Sequence, residues 1–247
     1  NNGEIKTSFL TEAISQDFLN ELIEKTYRND IPIIKEKERS SSLFRSQIDN
    51  WWDFNLTSLS NDKYEAFSKI RFLKWINKII FANTLNSYVD INSEINQINK
   101  VENTDELKKV FESITKEHNF NNIFGNEFED ETLSAESLSN LKILNQLIYS
   151  NKFTEDIKNL YVNLIENNVS KTNKKFHGLF TTPDKLAYLL IDLVVDNTNG
   201  YIIDPCCGSG TIIKNIRNFY ENFEDPIDAN EKIWGADKFD FPVQVST

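Results

Sequence analysis

Methionine is absent from this chain of 247 residues, and cysteine, glycine and proline are scarce, at two, seven and five residues. That scarcity of glycine and proline excludes a collagen-like or low-complexity chain and suits a helix-rich globular one. The two cysteines, Cys206 and Cys207, are neighbours in sequence. An ordinary disulfide between them is not expected, and they lack the C-x-x-C spacing of a metal site, so both are read as turn residues and no metal ligands are assigned. No run approaches the roughly 20 apolar residues that a membrane helix requires. The opening "NNGEIKTSFL" lacks the basic and apolar regions of a secretory signal. No membrane association is therefore expected, and the chain is read as cytoplasmic. Positive charge is also short: the formal net charge is -11. A surface of that sign does not grip nucleic acid by neutralising phosphates, so any such contact has to come from a local patch or from further sequence. The missing methionine and the abrupt stop at "PVQVST" lead us to expect a piece of a longer protein.

What is present is hydrophobic residues, 39% of the chain, and over residues 11–168 they recur three and four positions apart, the spacing of amphipathic helices. "TEAISQDFLNELIEKTY" sets Ile14, Phe18, Leu22 and Ile23 on one face and is expected to end before Pro32. "KEKERSSS" mixes charges of both signs and reads as a solvated linker. The longest periodic stretch, "NDKYEAFSKIRFLKWINKIIFANTLNSYV", is apolar around most of its circumference and is expected to be a buried helix, its aromatic side chains packing a core rather than stacking on bases. Further helices are expected over "TDELKKVFESITKEH" with Thr104 as cap, over "SAESLSNLKILNQLIYS", and over "TEDIKNLYVNLIENNV" capped by Thr154, with a loop at "NFNNIFGNEFEDETL". After residue 169 the character changes. "SKTNKKFHG" is a polar, basic connector, and beyond it helix and strand signals alternate as at the start of an α/β domain. The expected domains are a helical one over 1–169 and the beginning of an α/β one over 170–247.

The chemistry is concentrated in "YIIDPCCGSGTIIKN", residues 201–215. A short β-branched run reads as a buried strand ending at Asp204, and "TIIKNIRNFYENF" resumes helical spacing. Between them Gly208 and Gly210 permit a tight turn whose main-chain N–H groups a ligand can approach at a helix start. A phosphate-binding loop would need a lysine that this helix lacks. A dinucleotide site would want a third glycine, which leaves NAD a second choice behind S-adenosylmethionine, which has no pyrophosphate to cradle. A second strand, "EKIWGAD", ends in Asp237, which is either the acid that accepts hydrogen bonds from a ribose or a solvated turn residue. Upstream, in "GLFTTPDKLAYLLIDLVV", Thr182 is placed to cap a helix, with Pro183 at its first position and Asp184 in its first turn.

In that order, "GLFTTP", "DPCCGSGT" and "GAD" resemble the motifs of amino-group DNA methyltransferases, in particular the adenine-N6 methylases of type I modification subunits and of fused type IIG restriction-modification enzymes. The resemblance covers residues from about 160 to 240, and Thr181 stands where the family usually has an aromatic residue. It implies a mainly α N-terminal domain followed by the start of a Rossmann-like methyltransferase domain that binds S-adenosylmethionine. Carried over to this chain, it places Phe180, Thr182 and Pro183 at the methionine end of the cofactor. Asp204, Pro205, Cys206, Gly208, Ser209 and Gly210 form its bed, and Asp237 holds its ribose. The implied reaction is methylation of adenine N6 in duplex DNA, with the base extruded from the stack. Partners would be a specificity subunit, or fused specificity and nuclease domains. The family's catalytic "(D/N/S)-P-P-(Y/F/W)" is not among these residues, since none of the five prolines has a proline neighbour. No catalytic residue is therefore assigned, and cofactor binding that is weak or undetectable, without methyl transfer, is expected of this polypeptide alone. Two alternatives remain: a methyltransferase acting on another acceptor, or a non-catalytic helical interaction module.

Overall fold

The computed structural model describes residues 16–55, 62–125, 132–151, 182–195, 200–208, 210–220 and 231–237. The chain divides into two compact units, Asn1–Asn173 and Lys174–Thr247.

In the described residues of the first unit every regular element is helical: α1 (Gln16–Thr26), a 3-10 turn (Tyr27–Asp30), α2 (Ile31–Ser40), α3 (Ser42–Asn55), α4 (Lys63–Leu85), α5 (Asn92–Ile98), α6 (Thr104–His118), α7 (Asn121–Phe124) and α8 (Ala135–Asn151). The organising element is α4. Asp62 starts it by accepting hydrogen bonds at 2.9 Å from the N–H groups of Tyr64 and Glu65, which satisfies two donors that a helix end leaves open. Its apolar residues then go inside: Phe67, Phe72, Trp75, Ile76 and Ile79 are fully buried, each contributing about 1.5–3 kcal/mol by removal from water. Trp51 meets Phe67 edge-on at 5.1 Å, and Phe111 stacks on Phe124 at 5.2 Å. The aromatic residues Phe67, Phe72 and Trp75 of α4 therefore pack core, as expected.

A helix buried on most sides also buries polar residues, and several of these are paired across elements. The Arg71 guanidinium lies 2.7 Å from the Asp30 carboxylate, both wholly buried. The other Asp30 oxygen accepts from Ser134 N–H and Ser137 Oγ, each at 2.8 Å. One carboxylate thus joins the 3-10 turn, α4 and the start of α8. Asn83 and Asn145, also buried, bridge α4 and α8 at 2.8 Å, and Asn145 reaches on to Asn99 at 2.9 Å.

The first helix ends at Thr26, before Pro32 as expected, and Pro32 itself sits in the first turn of α2, where its missing N–H costs nothing. Three local expectations are corrected here. "KEKERSSS" is consequently helix through Ser40, broken only at the extended Ser41 before α3 begins. Its Glu38 is far from a solvated spacer, accepting from Lys63 Nζ and Tyr64 Oη at 2.7 Å each. The cap of α6 is Asn103, which accepts from Glu106 N–H at 2.9 Å; Thr104 instead accepts from Leu133 N–H through Oγ1, also at 2.9 Å. Finally, the stretch read as a loop after α6 contains α7, because Ile123 and Phe124 bury themselves in the core. The helix expected after Thr154, the connector at 170–178, Ile14 and the side chain of Phe18 lie outside the described residues.

The described part of the second unit contains α9 (Asp184–Val194), β1 (Ile202–Asp204), α10 (Thr211–Tyr220) and β2 (Ile233–Gly235). The strands run parallel, with Ile202 opposite Ile233, Ile203 opposite Trp234 and Asp204 opposite Gly235. Parallel neighbours need a crossover, and α10 lies in it. Alternation of side chains along a strand decides what is covered. Ile202 and Ile233 pack on the cluster of Ile191, Ile216 and Tyr220 from α9 and α10. Ile203 and Trp234, on the other face, are 66% and 61% exposed. The expectation of a buried strand therefore holds for one face of β1 only, because both helices of the cluster lie on that side.

Candidate cofactor-binding turn

The turn that links β1 to α10 is built by hydrogen bonds from the chain itself. Asp204 ends β1 and its Oδ1 accepts from Cys206 N–H at 3.0 Å, an Asx-type closure that bends the chain sharply after the strand. The main-chain ladder continues past the strands: Ala236 N–H donates to Asp204 C=O at 2.8 Å, and Cys207 N–H to Ala236 C=O at 2.9 Å. Gly208 then takes φ +52° and Gly210 φ +87°, the left-handed region that a Cβ makes costly. Gly210 N–H closes on Cys207 C=O at 2.9 Å, and Lys214 N–H reaches Gly210 C=O at 2.8 Å to open α10.

The turn is clasped from the tip of β2. Asp237 Oδ2 accepts from Gly208 N–H at 2.9 Å, across 29 residues of sequence. A Cβ built on Gly208 would meet nothing within 4 Å, so the surface over this glycine is open on the side where a side chain would stand. Asp204 is 9% exposed, and its Oδ2 is buried without a hydrogen-bond partner among the described residues. Buried carboxylate oxygens rarely stay unpaired, and one beside an open turn suits a ligand that brings a donor or a positive charge.

The two cysteines do different work. Cys206 is exposed and Cys207 buried, and neither is in a disulfide. Cys207 packs under β2: a Cβ on Gly235 would fall 3.1 Å from its Sγ and 3.2 Å from its Cβ. Gly235 is thus needed so that β2 can approach the turn, a role that sequence reasoning missed. The only signal was a glycine two positions before the acid that the strand delivers.

Helix α9 begins one residue later than expected. Pro183 occupies the cap position, its C=O accepting from Leu186 and Ala187 N–H at 2.9 Å each. Thr182 makes no side-chain cap, because the extended Pro183 stands between it and the first turn. Asp184 Oδ1 accepts from Asn215 Nδ2 at 2.9 Å, which brings the start of α9 against the first turns of α10. Phe180 and Ser209 lie outside the described residues. Of the expected site residues, the structure gathers Asp204, Pro205, Cys206, Gly208, Gly210 and Asp237 in one clasped turn. Thr182 and Pro183 stand at the head of the helix tied to α10. No helix among the described residues is long and apolar enough to cross a membrane.

Residues 153–247 match the sequence model of the N-6 DNA methylase family. No curated protein and no solved structure gives a significant match.

Proposed function

We infer, from this N-6 DNA methylase segment at residues 153–247, that the clasped turn binds S-adenosylmethionine and that the chain serves adenine-N6 methylation of DNA within a restriction-modification system. The observation that carries the reading is the bond from Gly208 N–H to Asp237 Oδ2 at 2.9 Å. It sets the acid of the second strand beside open main chain, the juxtaposition that an adenosine ligand requires of its ribose-binding carboxylate.

The chemistry of the residues favours this ligand over a dinucleotide. Asp204 and Asp237 both present carboxylates at the turn, and a pyrophosphate lying there would be repelled by them, whereas a cationic ligand would be attracted. When bound, S-adenosylmethionine supplies a methyl group on a positively charged sulfur. The chain's part is to bind and orient. Asp237, held by Gly208 N–H, is prepared to accept hydrogen bonds from ribose hydroxyls without first having to be ordered. The left-handed glycines let the ligand lie against the backbone. Holding donor and acceptor in line is the main catalytic contribution open to such a site. In this reading the acceptor is the exocyclic amine of an adenine extruded from the duplex. The residues that grip the base are not among these 247, which contain no adjacent prolines.

Calorimetry decides between ligands. S-adenosylmethionine or S-adenosylhomocysteine, titrated to millimolar concentration into the complete protein, should give saturable heat that Asp237→Ala abolishes, and NAD should give none. Absence of heat from either S-adenosyl ligand, or equal heat from NAD, would refute the reading.

A further inference from the structure

Asn215 is the residue in the second unit whose burial asks for an explanation. It is 4% exposed and lies beside Ile216, in a helix whose buried face is otherwise apolar and packs on Ile191 of α9. An aliphatic side chain would fill that position at no polar cost, whereas a buried amide has to find partners. Asn215 Nδ2 finds two at 2.9 Å, the C=O of Thr211 in its own helix and Oδ1 of Asp184 in the first turn of α9. A single buried amide in an apolar helix contact pins the axial register of the two helices, since sliding either one would leave it unpaired.

That register has a consequence for the turn. α10 opens at Gly210 and Thr211, and α9 opens at Pro183 and Asp184. The bond therefore fixes the height of the Thr182–Pro183 end against the first turns of the glycine-turn helix. Asp184 itself is exposed, and among the described residues this is the hydrogen bond that holds its side chain.

We propose that Asn215 is a positioning residue of the cofactor site. Through Asp184 it holds the Thr182–Pro183 end of α9 where that end contacts the amino-acid portion of an S-adenosyl ligand, leaving the nucleoside portion to Gly208 and Asp237. This rests on the cofactor reading above, and it divides the ligand into two halves that can be tested apart.

The test uses the complete protein with two probes, S-adenosylhomocysteine and adenosine, which share the nucleoside and differ in the amino-acid portion. Ligand-observed NMR at millimolar concentration reads both. Asn215→Leu keeps the packing volume and removes the donor; it should weaken S-adenosylhomocysteine about tenfold or more, as for loss of a hydrogen bond to a charged group, and leave adenosine within about twofold. Asp184→Ala, a surface change that leaves the core intact, should reproduce the same selective loss. Asp184→Asn keeps the accepting oxygen and should bind both probes like the original chain. The double variant Asn215→Leu/Asp184→Ala should be no worse than either single change, since both break one bond. If Asn215→Leu and Asp184→Ala weaken the two probes equally, or neither, the positioning role is overturned while the cofactor reading stands. If the unmodified chain binds neither probe, the cofactor reading fails and takes this inference with it.

Discussion

Gly208→Ala puts one methyl group on the surface where the ligand is expected to lie, and its two effects can be separated. In the free protein the cost is conformational. At φ +52° an alanine is disfavoured by about 1–2 kcal/mol. No steric cost adds to this, because nothing stands within 4 Å of the new Cβ. The N–H survives the substitution, so the bond to Asp237 at 2.9 Å is kept. For a unit of this size each kcal/mol lowers Tm by about 4–8 °C, and scanning calorimetry should register a fall of that order. In the complex a second cost appears. A ligand resting on the glycine would be overpacked by the methyl, at about 1–3 kcal/mol, which is a roughly 5- to 150-fold rise in Kd. Isothermal titration with S-adenosylmethionine, well below both melting temperatures, measures it. A lowered Tm with unchanged Kd would refute the placement of the ligand over Gly208. An unchanged Tm would refute the left-handed turn itself.

Gly235→Ala should destabilise through packing rather than backbone conformation, its Cβ crowding Cys207 Sγ at 3.1 Å at a cost of about 1–3 kcal/mol, and adding Cys207→Ala should recover part of the loss in a calorimetric scan. Arg71→Leu leaves the Asp30 carboxylate, 2.7 Å away and fully buried, without its counter-charge, and should cost the first unit about 3–5 kcal/mol in urea unfolding. A loss below about 1 kcal/mol would show that the pair is not confined as described. Burial by itself raises the Glu38 carboxyl, but hydrogen bonds from Lys63 and Tyr64 outweigh it and hold the group below the ordinary glutamate value of 4.5. A pKa lowered by folding stabilises fully above the unfolded value, and the contribution fades as pH falls through the folded one. Unfolding free energy should therefore drop more steeply below about pH 4.5 in the original chain than in Glu38→Gln, and parallel curves would refute the linkage.

Local order proved legible where a pattern was long or chemically specific. The 23 residues of α4 show unbroken helical spacing of apolar residues, and no alternative structure could bury so many of them. The strand, glycine turn and helix from Ile202 onward follow from residue types within a few positions of one another. Boundaries were less readable, because competing caps sit side by side. Asn103 and Thr104 both offer an oxygen, and so would Thr182 had Pro183 not taken the cap position. Pro32 marked an end correctly, since α1 stops at Thr26, but proline also opens helices, and the sequence around it does not say that α2 begins there. Glu38, in a charged stretch that reads as solvent-facing, became structural only because Lys63 and Tyr64 arrive from 25 and 26 residues away.

The chain's own order of residues determined a helical first part, a glycine turn between strand and helix, and an acid at the second strand's tip, since backbone preference and side-chain periodicity act over a few residues. Tertiary structure alone decided that Asp237 meets Gly208 across 29 residues, that Asn215 ties α10 to Asp184 across 31, and that Cys207 needs a glycine opposite it. Those pairings depend on how the βαβ crossover and the α9–α10 contact bring distant backbone together. No local rule of sequence encodes such a distance.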